Sequence, residues 1–204
     1  MSDSCHPERA DAAVPSRRGR NAAVLGGVGA AWLVLDMLTK SWFTANYAVG
    51  EASAGSILGL VRFHLVHNTG AAWGMFGDST FALGIMSLVV CAVLAGYLIA
   101  LSPRATLTEA IGVALVVAGG LGNAVDRFTL GYVVDFIEPV FIDFPVFNVA
   151  DIGVTCGFVI FIIGLLLRER RMGAWQAAQA AAAPAGDDAP GRTAGSSSEG
   201  RDAR

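Results

Sequence analysis

The chain has 204 residues, of which 54% are hydrophobic and 15% charged, with a formal net charge of -3. A soluble domain carries roughly a quarter charged residues, so lipid is the expected main solvent. No basic patch supports nucleic-acid binding, and Cys5, Cys91 and Cys156 fall at spacings that suit neither a zinc site nor a disulfide framework.

In chain order, residues 1–20 are polar, hold Pro7, Pro15 and a small arginine cluster, and read as a disordered tail. Residues 21–43 form the first of four apolar stretches, each near the roughly twenty residues that cross a hydrocarbon core about 30 Å thick. This stretch is too long for a cleaved secretory signal and carries Asp36 and Lys40 near its far end. A connection over about 44–79 follows, in which Val61, Phe63 and Leu65 alternate with Arg62 and His64, the two-residue period of a half-exposed strand. A small sheet lying on the membrane is expected there.

The next apolar stretches are 80–101 and 107–125, joined by a short turn at Ser102, Pro103 and Arg104. Gly119, Gly120 and Gly122 predict close helix packing beside Asn123 and Asp126. A second connection spans 126–148, and the fourth stretch covers 149–167. Cys91 and Cys156 are expected to pack as small apolar residues, and 172–204 reads as a second disordered tail. The organisation is thus a tail at 1–20, a four-helix transmembrane domain at 21–171, and a tail at 172–204.

Arginines collect before the first stretch, between the second and third, and after the fourth, where Arg168, Arg170 and Arg171 stand. By the positive-inside rule these segments are cytoplasmic. The expected fold is an all-α membrane protein: four transmembrane helices, a small extracytoplasmic β segment and both termini cytoplasmic.

Ionisable groups at membrane depth are costly, so each requires a reason. Asp36 and Lys40 close the first helix, Asn123, Asp126 and Arg127 close the third, and Asn148 and Asp151 open the fourth. Asn68 and Asp135 come from the two connections. No serine with matched histidine and aspartate, no His-Glu metal motif and no glycine-rich phosphate loop is present, which leaves carboxylates. Two close carboxylates do not both ionise easily, so one keeps a proton while the other activates water. Several pairs among Asp126, Asp135, Glu138, Asp143 and Asp151 meet that description.

Four segments in order carry a resemblance: Asn68-Thr69-Gly70-Ala71-Ala72-Trp73, Gly119 through Arg127, Gly131 through Phe136, and Phe147-Asn148-Val149-Ala150-Asp151. Over about residues 22–170 the chain resembles the lipoprotein signal peptidases (signal peptidase II), which are membrane aspartyl proteases. The resemblance implies that Asp135 and Asp151 are catalytic and Asp126 is a supporting aspartate. It implies contacts to substrate or dyad from Asn68, Gly70, Asn123, Arg127 and Asn148. Asp36 and Lys40 match the family's Asp-x-x-x-Lys pattern, with Met37 where many members place Gln and Trp73 in place of a more usual Phe.

The resemblance also implies a substrate, a prolipoprotein whose lipobox cysteine already carries diacylglycerol, cut on the amino side of that cysteine. No metal and no organic cofactor is implied. The expected location is the bacterial cytoplasmic membrane, among lipids, with the chain acting as a monomer.

Structural readings stand beside these. Asp151 suits the positive end of helix four, with Asn148 as its cap. Asp135 alone would be a solvated loop acid, and Asp126 with Arg127 a pair of opposite charges at a helix end. Asn68 reads as a substrate contact and Gly70 as a turn former. His64 and His67 stand three apart in a strand and are expected on opposite faces. The competing functional class is a small transporter using the acids as a relay, which should spread them along the membrane depth.

Overall fold

A computed structural model describes residues 16–70, 79–102 and 104–182; Trp73 and Pro103 lie outside these. Among the described residues there are four helices and a two-stranded antiparallel sheet. Helix α1 is Arg18–Asn46 and strand β1 is Val61–Asn68. Helix α2 is Thr80–Gly96, prolonged by a π-helical turn at Tyr97–Leu101. Helix α3 is Leu107–Thr129, strand β2 is Val133–Pro139 and helix α4 is Val149–Ala182. All four helices are long and apolar enough to cross a membrane, as expected.

The residues Met1–Glu169 and Arg170–Arg204 form separate compact units. In the second, the described residues are helical through Ala182. The disordered tail expected from residue 172 is therefore helical in its first part. Its run of Ala and Gln after Trp175 has high helix propensity, and the first proline beyond is Pro184.

Helix α3 is the centre of the bundle. Its start is fixed by a capping box in which Thr106 Oγ1 accepts from the Glu109 N–H at 3.2 Å and Glu109 Oε1 accepts from the Thr106 N–H at 3.2 Å. Small residues let α4 approach: a Cβ added to Gly112 would lie 2.7 Å from the Gly157 carbonyl oxygen, and one on Gly157 2.7 Å from that of Gly112. Further along, Gly119 faces the Ala150 backbone and Gly122 faces the Asp36 carboxylate. The glycine cluster read from sequence is thus the place where α1 and α4 close on α3.

The sheet rests on the end of α1. Phe43, Leu65, Val134 and Phe136 form a buried cluster, with the Phe43 and Phe136 rings stacked 4.0 Å apart. Each such phenyl ring contributes about 2–3 kcal/mol by leaving water. The strands pair Val61 with Pro139, Arg62 with Glu138, Val66 with Asp135 and Asn68 with Val133, with an irregularity between Phe63 and Val66. The alternation predicted for β1 is present: Phe63 and Leu65 turn toward Phe43, while Arg62 and His64 meet Glu138.

Candidate active site

Asp135 lies in β2 and Asp151 in the first turn of α4, and the fold brings them to one cavity. Asn148 joins them. Its side-chain N–H donates to Asp135 Oδ1 at 2.7 Å, and its backbone N–H donates to Asp151 Oδ2 at 3.1 Å. Asn148 Oδ1 in turn accepts from the Asp151 N–H at 3.0 Å. This reciprocal pair is a helix cap, so the capping reading of Asp151 holds, and the same geometry aims its carboxylate.

The two remaining oxygens are also met by asparagines. Asn68 Nδ2 donates to Asp135 Oδ2 at 2.8 Å, and Asn123 Nδ2 donates to Asp151 Oδ1 at 2.7 Å. The Gly70 N–H donates to Asn68 Oδ1 at 3.0 Å, which fixes the direction of that amide. Asn68, expected as a contact to substrate or dyad, thus spends both ends of its amide on Asp135 and Gly70. Ala71 and Ala72 of the turn expected after it lie outside the described residues.

Behind the pair sits a buried ion cluster. Lys40 Nζ lies 2.8 Å from Asp36 Oδ2 and 2.9 Å from Asp126 Oδ2, and it donates to Asn123 Oδ1 at 3.1 Å. Asp36 Oδ1 accepts from the Ala150 N–H at 2.9 Å, tying α1 to the start of α4. Asp126 Oδ2 accepts from the Val134 N–H at 3.2 Å, tying α3 to β2. All three therefore hold the elements that carry Asp135 and Asp151.

The cavity has a volume of about 460 Å³ and is lined by Asn68, Gly70, Asn123, Arg127, Val133, Asp135, the segment 144–147, Asp151, Ile152, Thr155 and Cys156. Arg127 lines it while donating from Nη1 to the Asn123 carbonyl at 3.2 Å. Burial, and next the negative charge of Asp151, push the Asp135 carboxyl up to about 7, against the opposing hydrogen bonds from Asn68 and Asn148. An acid so placed exchanges its proton near neutral pH.

Other candidates stand elsewhere. Glu138 is bound by Arg62 at 2.6 and 2.9 Å and by His64 Nδ1 at 3.0 Å, and the Arg62 contact holds its carboxyl below the usual range. Asp143 is exposed and outside the cavity lining. His67 stacks on Tyr132. Cys91 is buried as expected, whereas Cys156 is exposed and faces the cavity. It follows Asp151 on α4 and shares the face that Asp151, Ile152 and Thr155 turn to the opening.

Glu109 was not among the sequence candidates, although Thr106-x-x-Glu109 is a legible capping signature. It is fully buried at the opposite end of the bundle, 3.1 Å from Arg168. Between it and the Asp135 end, the helices carry no acid, so nothing forms the spread of acids that a relay needs.

A family model described as Signal peptidase (SPase) II matches residues 28–167. The chain belongs to the signal peptidase II family. A member of this family is a protease, and with four membrane-crossing helices this one is a multi-pass membrane protein. The lipoprotein signal peptidase of Latilactobacillus sakei subsp. sakei (strain 23K) is 41% identical over 140 residues, covering 68% of this chain and 90% of that protein. The one from Thermosynechococcus vestitus (strain NIES-2133 / IAM M-273 / BP-1) is 41% identical over 129 residues, covering 62% of this chain and 81% of its own. A bacterial membrane enzyme solved by the in meso method at 2.3 Å resolution superposes with a TM-score of 0.63 at 30% identity, covering 72% of this chain and 88% of that one.

Proposed function

We propose that this signal peptidase II family member removes signal peptides from diacylglyceryl-modified prolipoproteins, cutting on the amino side of the lipidated cysteine, with Asp135 and Asp151 as the catalytic pair. The observation that carries this reading is the Asn148 bridge, which holds both carboxyl groups in the lining of one cavity.

In the proposed cycle, Asp151 takes a proton from water while the water oxygen attacks the peptide carbonyl carbon. Protonated Asp135 gives its proton to the carbonyl oxygen. The tetrahedral diol then collapses: Asp135 recovers a hydroxyl proton, Asp151 protonates the departing amide nitrogen, and the C–N bond breaks. The value near 7 for Asp135 favours it as the initial acid. Asn68, Asn123 and Asn148 support the pair, and Arg127 offers the cavity a positive charge. Asp36, Lys40 and Asp126 brace the elements.

The arginine pattern supports a chain in the bacterial cytoplasmic membrane with both termini inside and the cavity near the extracytoplasmic face. The substrate's acyl chains then stay in the bilayer while its backbone reaches the pair, and one copy of the chain suffices. The test is mass spectrometry of a diacylglyceryl-modified prolipoprotein incubated with the purified protein in detergent. The expected product begins at the lipidated cysteine. Intact substrate, or a cut elsewhere, overturns the reading.

A further inference from the structure

The cavity face of α4 runs on from Asp151 into the membrane-crossing span Val149–Gln179. Thr155 follows Asp151 by four positions, so the two stand one above the other on that face. With a rise of about 1.5 Å per residue, Thr155 lies about 6 Å farther into the span. It is exposed and lines the cavity, with Ile152 and Cys156 beside it on the helix.

The hydroxyl of Thr155 is free. A threonine inside a helix can return its hydroxyl to the carbonyl one turn back, and Thr39, Thr44 and Thr129 do so at 2.9, 2.8 and 2.8 Å. Thr155 makes no such bond to the Asp151 carbonyl and has no other partner in the chain. Ser41 and Ser87 are also unbonded, but neither lines the cavity. The amides and carboxylates of the cavity are bonded among themselves, and Arg127 reaches the Asn123 carbonyl. Among the described lining residues, Thr155 therefore offers the one uncommitted hydroxyl.

Once a ligand displaces water from that wall, an unpartnered hydroxyl costs free energy unless the ligand brings an acceptor. In the reaction proposed above, on which this inference rests, the cut bond lies at Asp135 and Asp151. The residue after the cut is the lipidated cysteine. Along its side chain stand a thioether sulfur, glyceryl carbons, two ester carbonyls and then hydrocarbon. The ester carbonyls are the first strong acceptors on that arm, and the arm runs from the pair toward the bilayer, as α4 does.

We propose that Thr155 donates its hydroxyl to an ester carbonyl of the substrate's diacylglyceryl group, seating the lipid arm one helical turn below the catalytic pair. Thr155 thereby makes the site selective for an acylated glyceryl group.

The test uses a fluorescent lipobox peptide with a ketomethylene group in place of the scissile amide. Its cysteine sulfur carries either a dipalmitoyl glyceryl ester or the matching dihexadecyl glyceryl ether, which keeps both chains and lacks the carbonyls. Binding to the full chain in phosphatidylcholine nanodiscs is read by fluorescence anisotropy. Wild type should bind the diester roughly two- to tenfold more tightly than the diether, the worth of one neutral hydrogen bond. Thr155→Val keeps the branched side chain and should bind both probes alike, at the wild-type affinity for the diether. Thr155→Ser should restore the preference.

No preference in wild type, or a preference that survives Thr155→Val, overturns the proposal. So does an equal loss for both probes in Thr155→Val, because the hydroxyl would then serve the peptide backbone. With the cleavable diester substrate, Thr155→Val should raise KM by the same factor and leave kcat unchanged; a fall in kcat alone contradicts the proposal. The binding measurement needs no cleavage. A wild type that shows the preference yet leaves the cleavable substrate intact overturns the proposed reaction and leaves this contact standing.

Discussion

At the sheet end of the bundle, Asp135 and Asp151 are held by asparagine amides; at the opposite end, Glu109 is held by the Arg168 guanidinium. Both arrangements give buried carboxyl groups polar partners, but they leave different chemistry. A carboxylate paired with a cation has its charge met inside the fold. One held by neutral amides does not, and it stays free to take up and release a proton. The sheet end contains both kinds within one network, because Asn123 receives Lys40 on its oxygen and serves Asp151 with its nitrogen. Cation-bound acids therefore brace, and amide-bound acids face the cavity.

The sharpest way to break this division is to remove the cation. Lys40→Met leaves Asp36 and Asp126 buried without a counter-charge, and thermal unfolding in detergent should report a loss of about 3–5 kcal/mol. Asp36→Asn together with Asp126→Asn in the same background should recover part of it.

Next in size is Asn148→Ala, which removes a hydrogen bond from Asp135 and the side-chain cap of α4. Losing a bond to a charged group costs about 1.5–3 kcal/mol, so kcat/KM for prolipoprotein cleavage should fall roughly ten- to a hundredfold with KM little changed. A third test addresses the opposite end. Arg168→Met should destabilise by about 1–3 kcal/mol, less than Lys40→Met because Arg168 is partly exposed, and adding Glu109→Met should restore much of that. Cleavage per folded molecule should stay unchanged in both variants.

The last test is in pH dependence. With the Asp135 carboxyl raised to about 7, the folded chain binds more protons than the unfolded one between the ordinary value near 3.8 and 7. Its contribution to stability is therefore full at low pH and is lost as pH rises through that window. Melting curves of wild type and Asp135→Asn should converge in slope once that window is passed, and activity that needs the protonated acid should decline above about pH 7.

Much of this was legible in the chain. The four apolar stretches, the alternation at Val61–Leu65 and the glycine cluster at 119–122 are local patterns, and local physics sets them. Asp135 was singled out from the other acids only through its motif, because nothing near it in sequence reveals the Asn68 and Asn148 amides that hold it. Whether Asn68 serves substrate or dyad stayed open for the same reason: its contact to Asp135 depends on strand register across the sheet. Cys156 was read as packed because an apolar helix hides which face opens on a cavity. Glu109 was legible as a cap, but its burial against Arg168 comes from helix packing that sequence spacing does not express.

The central claim is that the amide-held pair does the chemistry while the cation-held acids only support it. The most direct measurement is kcat/KM for a diacylglyceryl-modified prolipoprotein with Asp135→Asn, Asp151→Asn, Asp126→Asn and Glu109→Gln, each at equal folded amount. The account predicts losses of at least about a hundredfold for the first two and activity per folded molecule near wild type for Glu109→Gln, with Asp126→Asn between them. Full cleavage by either Asp135→Asn or Asp151→Asn would contradict it.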